Sequence, residues 1–116
     1  MELIDPGLSE YSERHTSPES DLLKKITRDT NARVMMPRML SGHLQGRFLS
    51  MVSKMIRPKN ILEIGTYTGY SAICLAEGLS PGGRLFTLDV NEELESRVRS
   101  YFSEAGLDKV VDYRIG

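Results

Sequence analysis

Two acids, Glu63 and Asp89, hold the positions in this chain best suited to binding chemistry. Glu63 interrupts the apolar run Ile61-Leu62-Glu63-Ile64, and Asp89 closes a second run, Arg84-Leu85-Phe86-Thr87-Leu88-Asp89. A carboxylate within an apolar run needs a partner, because an unpaired charge is costly to desolvate. A cationic or amine-bearing ligand can supply one, and so can backbone amides of the adjoining turn. An acid at the end of a strand can accept hydrogen bonds from ribose hydroxyls. Between the acids lies Gly65-Thr66-Tyr67-Thr68-Gly69, where Gly65 lets backbone approach a ligand with no Cβ in the way. Asp89 follows Gly65 by twenty-four residues, which leaves room for a turn, a helix and a second strand.

The elements that must position these residues are readable from periodicity and punctuation. A short helix is expected over Leu8 to Arg14. Ser17-Pro18 reads as the start of a helix running to about Arg33, with Leu22, Leu23 and Ile26 on one face. Met35-Met36-Pro37 breaks it. Ser41-Gly42 starts a helix to Ile56, in which Leu44, Phe48, Leu49, Val52, Met55 and Ile56 recur at helical spacing. Strand one is Ile61 to Ile64, a helix covers Tyr70 to a glycine stop at Gly78, and strand two is Leu85 to Asp89. Asn91 caps a helix to Ala105, and strand three is Val110 to Ile115. Two organisational segments follow, a helical one over 1–57 and an α/β one over 58–116. The β-α-β-α-β order predicts a parallel sheet with helices on both faces.

Composition narrows the function classes. The chain has 116 residues, 15 basic and 16 acidic, for a net charge of −1. That balance gives no bulk electrostatic drive toward nucleic acid or a membrane surface. The single cysteine, Cys74, excludes an internal disulfide and a cysteine-rich zinc site, and a reducing cytoplasm suits it. No apolar run approaches the ~20 residues of a membrane span.

The turn is not the G-x-G-x-x-G fingerprint of dinucleotide binders. Tyr67 occupies the second-glycine position, where a pyrophosphate would press on the backbone, and this disfavours NAD or FAD.

Leu62-Glu63-Ile64-Gly65-Thr66-Tyr67-Thr68-Gly69-Tyr70-Ser71 resembles motif one of class I methyltransferases, and more narrowly that of the caffeoyl-CoA and catechol O-methyltransferase group. Leu85 to Asn91 is similar to that family's second strand, and Met39 to Leu49 to the helix start before its core. The resemblance covers about residues 10 to 116. It implies a Rossmann-like methyltransferase sheet, of which this chain carries the first three strands, preceded by N-terminal helices.

The resemblance further implies S-adenosylmethionine as cofactor. Gly65 and Thr66 would line its turn, and Glu63 would hold that turn and the methionine end. Ser71 would meet the carboxylate, Asp89 the ribose hydroxyls, and Ser41 would cover the methionine moiety, with Met39 near the sulfonium. The family's divalent metal, Mg2+ by expectation, has its ligands after strands four and five, outside this chain. A small catechol-like hydroxyl is the expected acceptor, a hydroxyuridine of tRNA the alternative, and a homodimer the expected assembly. On this reading the chain by itself transfers no methyl group. The rival from another class is a non-catalytic module that binds cofactor or a partner through the open edge of strand one. His15, His43 and Cys74 read as surface or packing residues, and Met35, Met36 and Met39 as core or interface packing.

Overall fold

A computed structural model describes residues 3–116. The elements run α1 (Pro6–Arg14), α2 (Asp21–Arg33), a 3₁₀ turn at Pro37–Met39, α3 (Gly42–Ile56), β1 (Asn60–Ile64), α4 (Tyr70–Ala76), β2 (Arg84–Asp89), a 3₁₀ turn at Glu92–Leu94, α5 (Glu95–Glu104) and β3 (Val111–Ile115). The strands are parallel in the order β1-β2-β3, with Ile61 beside Leu85 and Leu85 beside Val111. This is the α/β class expected of the sequence.

Alternation along the strands sends side chains to opposite faces of the sheet. On one face Leu85 and Tyr113 join Ile73, Cys74, Val98, Tyr101 and Phe102 in a single core. The rings of Phe102 and Tyr113 meet edge-on with centroids 5.8 Å apart. On the other face Leu62 and Ile64 are 67% and 74% exposed. Among the described residues, the expected helices on both faces are therefore found on one face only. Right-handed crossovers that always step the same way along a sheet put their helices on one side, and only a reversal of direction fills the other.

The α3 helix also differs from its apolar pattern. Its buried residues are Gly46, Ser50 and Ser53, while Phe48, Met55 and Ile56 are exposed. Small residues win because α3 and α4 lie very close. A Cβ on Gly46 would fall 2.6 Å from a ring carbon of Tyr70. On Gly78 it would fall 2.2 Å from the carbonyl carbon of Ser53. Gly78 is thus a packing glycine, and its φ is not in the left-handed region that a glycine stop uses. Arg47 spans the same contact, 2.6 Å from Glu77, which also accepts the Ser50 hydroxyl at 3.0 Å.

Three boundaries shift for local reasons. Helix α2 begins at Asp21 because Ser20, not Ser17, caps it, its Oγ accepting the Leu23 amide at 3.2 Å. The Ser17 carbonyl lies 2.5 Å from Nε2 of His43 instead. Asn91 caps the 3₁₀ turn, accepting the Glu93 amide at 3.0 Å, and α5 starts only at Glu95. Met35, Met36 and Met39, expected in packing, are exposed, Met35 at 85%. The kink that Pro37 ends, with Met36 at φ 59°, turns them outward.

Candidate functional site

The carboxyl ends of β1 and β2 build one polar site. Glu63 Oε2 accepts the Ser71 hydroxyl at 2.5 Å, and Oε1 accepts the Thr87 hydroxyl at 2.7 Å. Thr66 Oγ1 lies 2.6 Å behind, on Thr87 Oγ1. Glu63 therefore meets neither a cation nor turn amides, the two partners considered for it, but two hydroxyls. Both Thr66 and Thr87 are buried. Burial pushes the Glu63 carboxyl above the usual carboxylate range. The Ser71 and Thr87 hydrogen bonds oppose that shift, and the charge of Asp89 adds to it.

Asp89 is bound by backbone. Its Oδ2 accepts the Tyr67 amide at 2.7 Å, and its Oδ1 accepts the amides of Val90 at 2.7 Å and Asn91 at 3.3 Å. Three amide bonds leave the carboxylate one acceptor site, on Oδ2, since two oxygens offer about four. The Gly65 amide donates to the Leu88 carbonyl at 2.7 Å and fastens the turn to β2.

The turn itself is left-handed three times over, at Gly65 (φ +96°), Tyr67 (φ +50°) and Gly69 (φ +89°). A Cβ on Gly65 would meet no atom within 4 Å, so the space beside it is open and its φ is what demands glycine. Tyr67 pays about 1–2 kcal/mol for the same conformation without being glycine. Its amide bond to Asp89 offsets this, as does its hydroxyl, 2.9 Å from the carbonyls of both Met35 and Met36. The ring thus clasps the 35–39 segment against the turn. Between them is a cleft of about 50 Å³ lined by Met39, Ser41, Gly65, Thr66, Tyr67 and Ser71.

Residues 12–116 match the O-methyltransferase family. The chain belongs to that family. It is 34% identical over 98 residues to the caffeoyl-CoA O-methyltransferase of Medicago sativa, covering 84% of this chain and 39% of that protein. It is 36% identical over 98 residues to the catechol O-methyltransferase of Niastella koreensis, covering 84% of this chain and 44% of that protein. In structure it is similar to the Bacillus cereus O-methyltransferase in complex with SAH, with a TM-score of 0.85 and 35% identity. That match covers 95% of this chain and 50% of the other. The O-methyltransferase TomG of Streptomyces achromogenes, in complex with SAM, matches with a TM-score of 0.85 at 29% identity, covering 95% of this chain and 49% of the other. The chain thus spans from about two-fifths to one-half of the length of these relatives.

In this O-methyltransferase chain the six sequence-derived residues converge on one place. Ser41, Gly65, Thr66 and Ser71 line the cleft, Glu63 joins it through Ser71, and Asp89 joins it through the Tyr67 amide. Ser41 makes no side-chain cap hydrogen bond to α3, so its hydroxyl is free of the capping role a Ser-Gly pair suggests. Sequence reasoning missed Thr87 and the Tyr67 hydroxyl. Thr87 carried a signal, being a polar residue inside the apolar run of β2, in register with Glu63.

A larger hollow of about 630 Å³ lies along α3, lined by Leu44, Arg47, Phe48 and Met51 and closed by His15 to Ser17. It shares no residue with the strand-end site. Cys74 is fully buried, and burial pushes its thiol up to about 11 despite Arg47 nearby, which leaves it inert at neutral pH. Among the described residues no three His, Cys, Asp or Glu side chains are grouped to hold a metal ion. No helix among them is long and apolar enough to cross a membrane.

Proposed function

We propose that this chain supplies the cofactor-binding part of an S-adenosylmethionine-dependent O-methyltransferase that acts on a hydroxyl of a small, catechol-like acceptor. One observation carries the reading. Glu63, one residue before the end of β1, and Asp89, at the end of the adjacent parallel β2, flank a turn whose Gly65 faces open space. Crevices at the carboxyl ends of the strands are where open α/β sheets take their ligands. The relatives named for caffeoyl-CoA and catechol support the acceptor class, and the SAM- and SAH-bound structures support the cofactor.

The residues fit such a cofactor. Asp89 has one acceptor site left, on Oδ2, for a ribose hydroxyl, and Gly65 leaves room for the ligand beside the backbone. Glu63 is a half-buried carboxylate with no cation against it among the described residues, suited to the ammonium of the methionine end. Ser71 has one proton, now given to Glu63; when that ammonium binds Glu63, the hydroxyl is released to donate to the adjacent carboxylate. Ser41 and Met39 close the cleft from the other side. When bound, the cofactor supplies an electrophilic methyl group. A divalent ion does not fit the acids of this chain, because among the described residues no three His, Cys, Asp or Glu side chains are grouped to hold one. A homodimer and a reducing, cytoplasmic setting belong to the same reading. The exposed apolar stripe of α3 suits burial against another protein surface, and the lone Cys74 suits a reducing compartment.

Calorimetric titration of the chain with S-adenosylhomocysteine, before and after Asp89→Ala, tests the proposal. Binding weakened by about tenfold or more in the variant is the expected result, since hydrogen bonds to a charged group are lost. Absence of binding to the unmodified chain, or equal affinity in both, overturns it.

A further inference from the structure

We infer that Thr87 is a positioning residue, backed by Thr66, that fixes the Glu63 carboxylate in place for the cofactor's ammonium. This rests on the cofactor reading given above.

The geometry allows one arrangement of protons. Ionised Glu63 can only accept, so the hydroxyls of Thr87 and Ser71 must donate to it. The single proton of Thr87 is then spent, and Thr66 must donate to Thr87 across their 2.6 Å contact. The chain Thr66 to Thr87 to Glu63 is thereby polarised toward the carboxylate, and each bond strengthens the next. Thr66 is 1% exposed and Thr87 0%, so both side chains are shielded from bulk solvent. A threonine at this point of β2 has no other polar duty, because an apolar side chain would pack there as its neighbours do.

The two hydroxyls on Glu63 are not equivalent. Ser71 lines the cleft and can turn toward a ligand, whereas Thr87 lies beneath the strand and cannot. When Ser71 turns away, Thr87 is the one side-chain donor left to hold the carboxylate. Among the groups that shift Glu63, Asp89 on β2 is the one that carries charge, and it disfavours the ionised form. From α4 the facing group is Ser71 and from β2 it is Thr87, both neutral. The two hydrogen bonds are therefore what sustains the anion against burial and against Asp89.

The test compares Thr87→Val, which removes the hydroxyl and keeps the shape, with Thr87→Ser, which restores it. Two readouts are taken on the full chain. One is the carbon-13 titration of the Glu63 carboxyl without ligand, and the other is the affinity for S-adenosylhomocysteine across pH. In Thr87→Val, Glu63 is expected to titrate at higher pH, the acid limb of binding to move the same way, and affinity at neutral pH to fall about tenfold. Thr87→Ser is expected to recover all three. Should Thr87→Val fail to fold, Thr66→Val keeps the bond to Glu63 but removes its support, and a smaller shift in the same direction is expected. A Glu63 titration that coincides with the unmodified chain in a folded variant, or no recovery in Thr87→Ser, overturns the assignment. If the unmodified chain takes up no S-adenosylhomocysteine, the cofactor reading falls; the ligand-free titration still decides whether Thr87 holds Glu63.

Discussion

The two ends of α4 each hold a partly buried glutamate, and they treat it in opposite ways. At the C-terminal end Glu77 meets Arg47 at 2.6 Å and Lys54 at 3.6 Å. Burial pushes its carboxyl up, but the hydrogen bonds from Arg47 and Ser50 and the charges of Arg47 and Lys54 outweigh that and bring it below the ordinary 4.5. At the N-terminal end Glu63 has two hydroxyls, a neighbouring anion and, among the described residues, no cation, and its carboxyl is raised above the ordinary 4.5. The first glutamate is satisfied within the fold and clamps α3 to α4. The second is left without a positive partner among the described residues, the deficit that the ammonium of the proposed cofactor would fill.

Substitutions can break or sharpen this contrast. The largest effect is expected at the clamp. Gly78→Ala would put a Cβ 2.2 Å from the Ser53 backbone carbon, which no side-chain motion relieves. A loss of about 3 kcal/mol or more in urea denaturation is expected, as for severe overpacking.

Arg47→Met comes next, with an expected loss of about 1–2 kcal/mol at pH 7, well short of a fully buried pair because Glu77 is partly exposed. Glu77 is lowered, so its contribution is present above 4.5 and disappears as pH falls through its folded value. The gap between Arg47→Met and the unmodified chain should therefore narrow in acid. An equal gap at pH 7 and pH 3 would count against an ionic clamp.

The smallest effect, and the opposite sign, is expected for Glu63→Gln. Glu63 is raised, so whatever it contributes is complete below 4.5 and is lost as pH rises through its folded value. Neutral Gln should make the chain more stable at pH 7, by under about 1 kcal/mol, with the gain vanishing below 4.5. Thermal melts at the two pH values measure it, and a loss at pH 7 would erase the distinction between the two glutamates.

Much of this was legible in the sequence, for reasons that differ by residue. The order β-α-β-α-β and the siting of Glu63, Gly65 and Asp89 followed from strand-like runs, turn chemistry and spacing, all of them local signals, whereas Ser41, Thr66 and Ser71 came only from the resemblance to the family's motif. The orientation of α3 was not legible. Its apolar stripe of Leu44, Phe48 and Met55 is the stronger periodic signal, but the face of Gly46, Ser50 and Ser53 packs on α4 because close helix approach rewards small residues. A hydropathy pattern does not register that. Thr87 escaped notice because its meaning depends on register: only when Glu63 is known to lie beside it does a threonine in an apolar strand become a donor. The same holds for Gly78, whose neighbour Ser53 is distant in sequence.

The strand order has a consequence for how the chain is made. Asn60 pairs with Arg84 and Leu85 with Val111, partners twenty-four and twenty-six residues apart. Each strand finds its neighbour in the stretch synthesised just before it, and the intervening helix is complete by then. A ribosome adding about 5–20 residues per second therefore releases this sheet in assembly order. Each strand can dock on arrival, and none of the pairings between β1, β2 and β3 waits for sequence still to be translated.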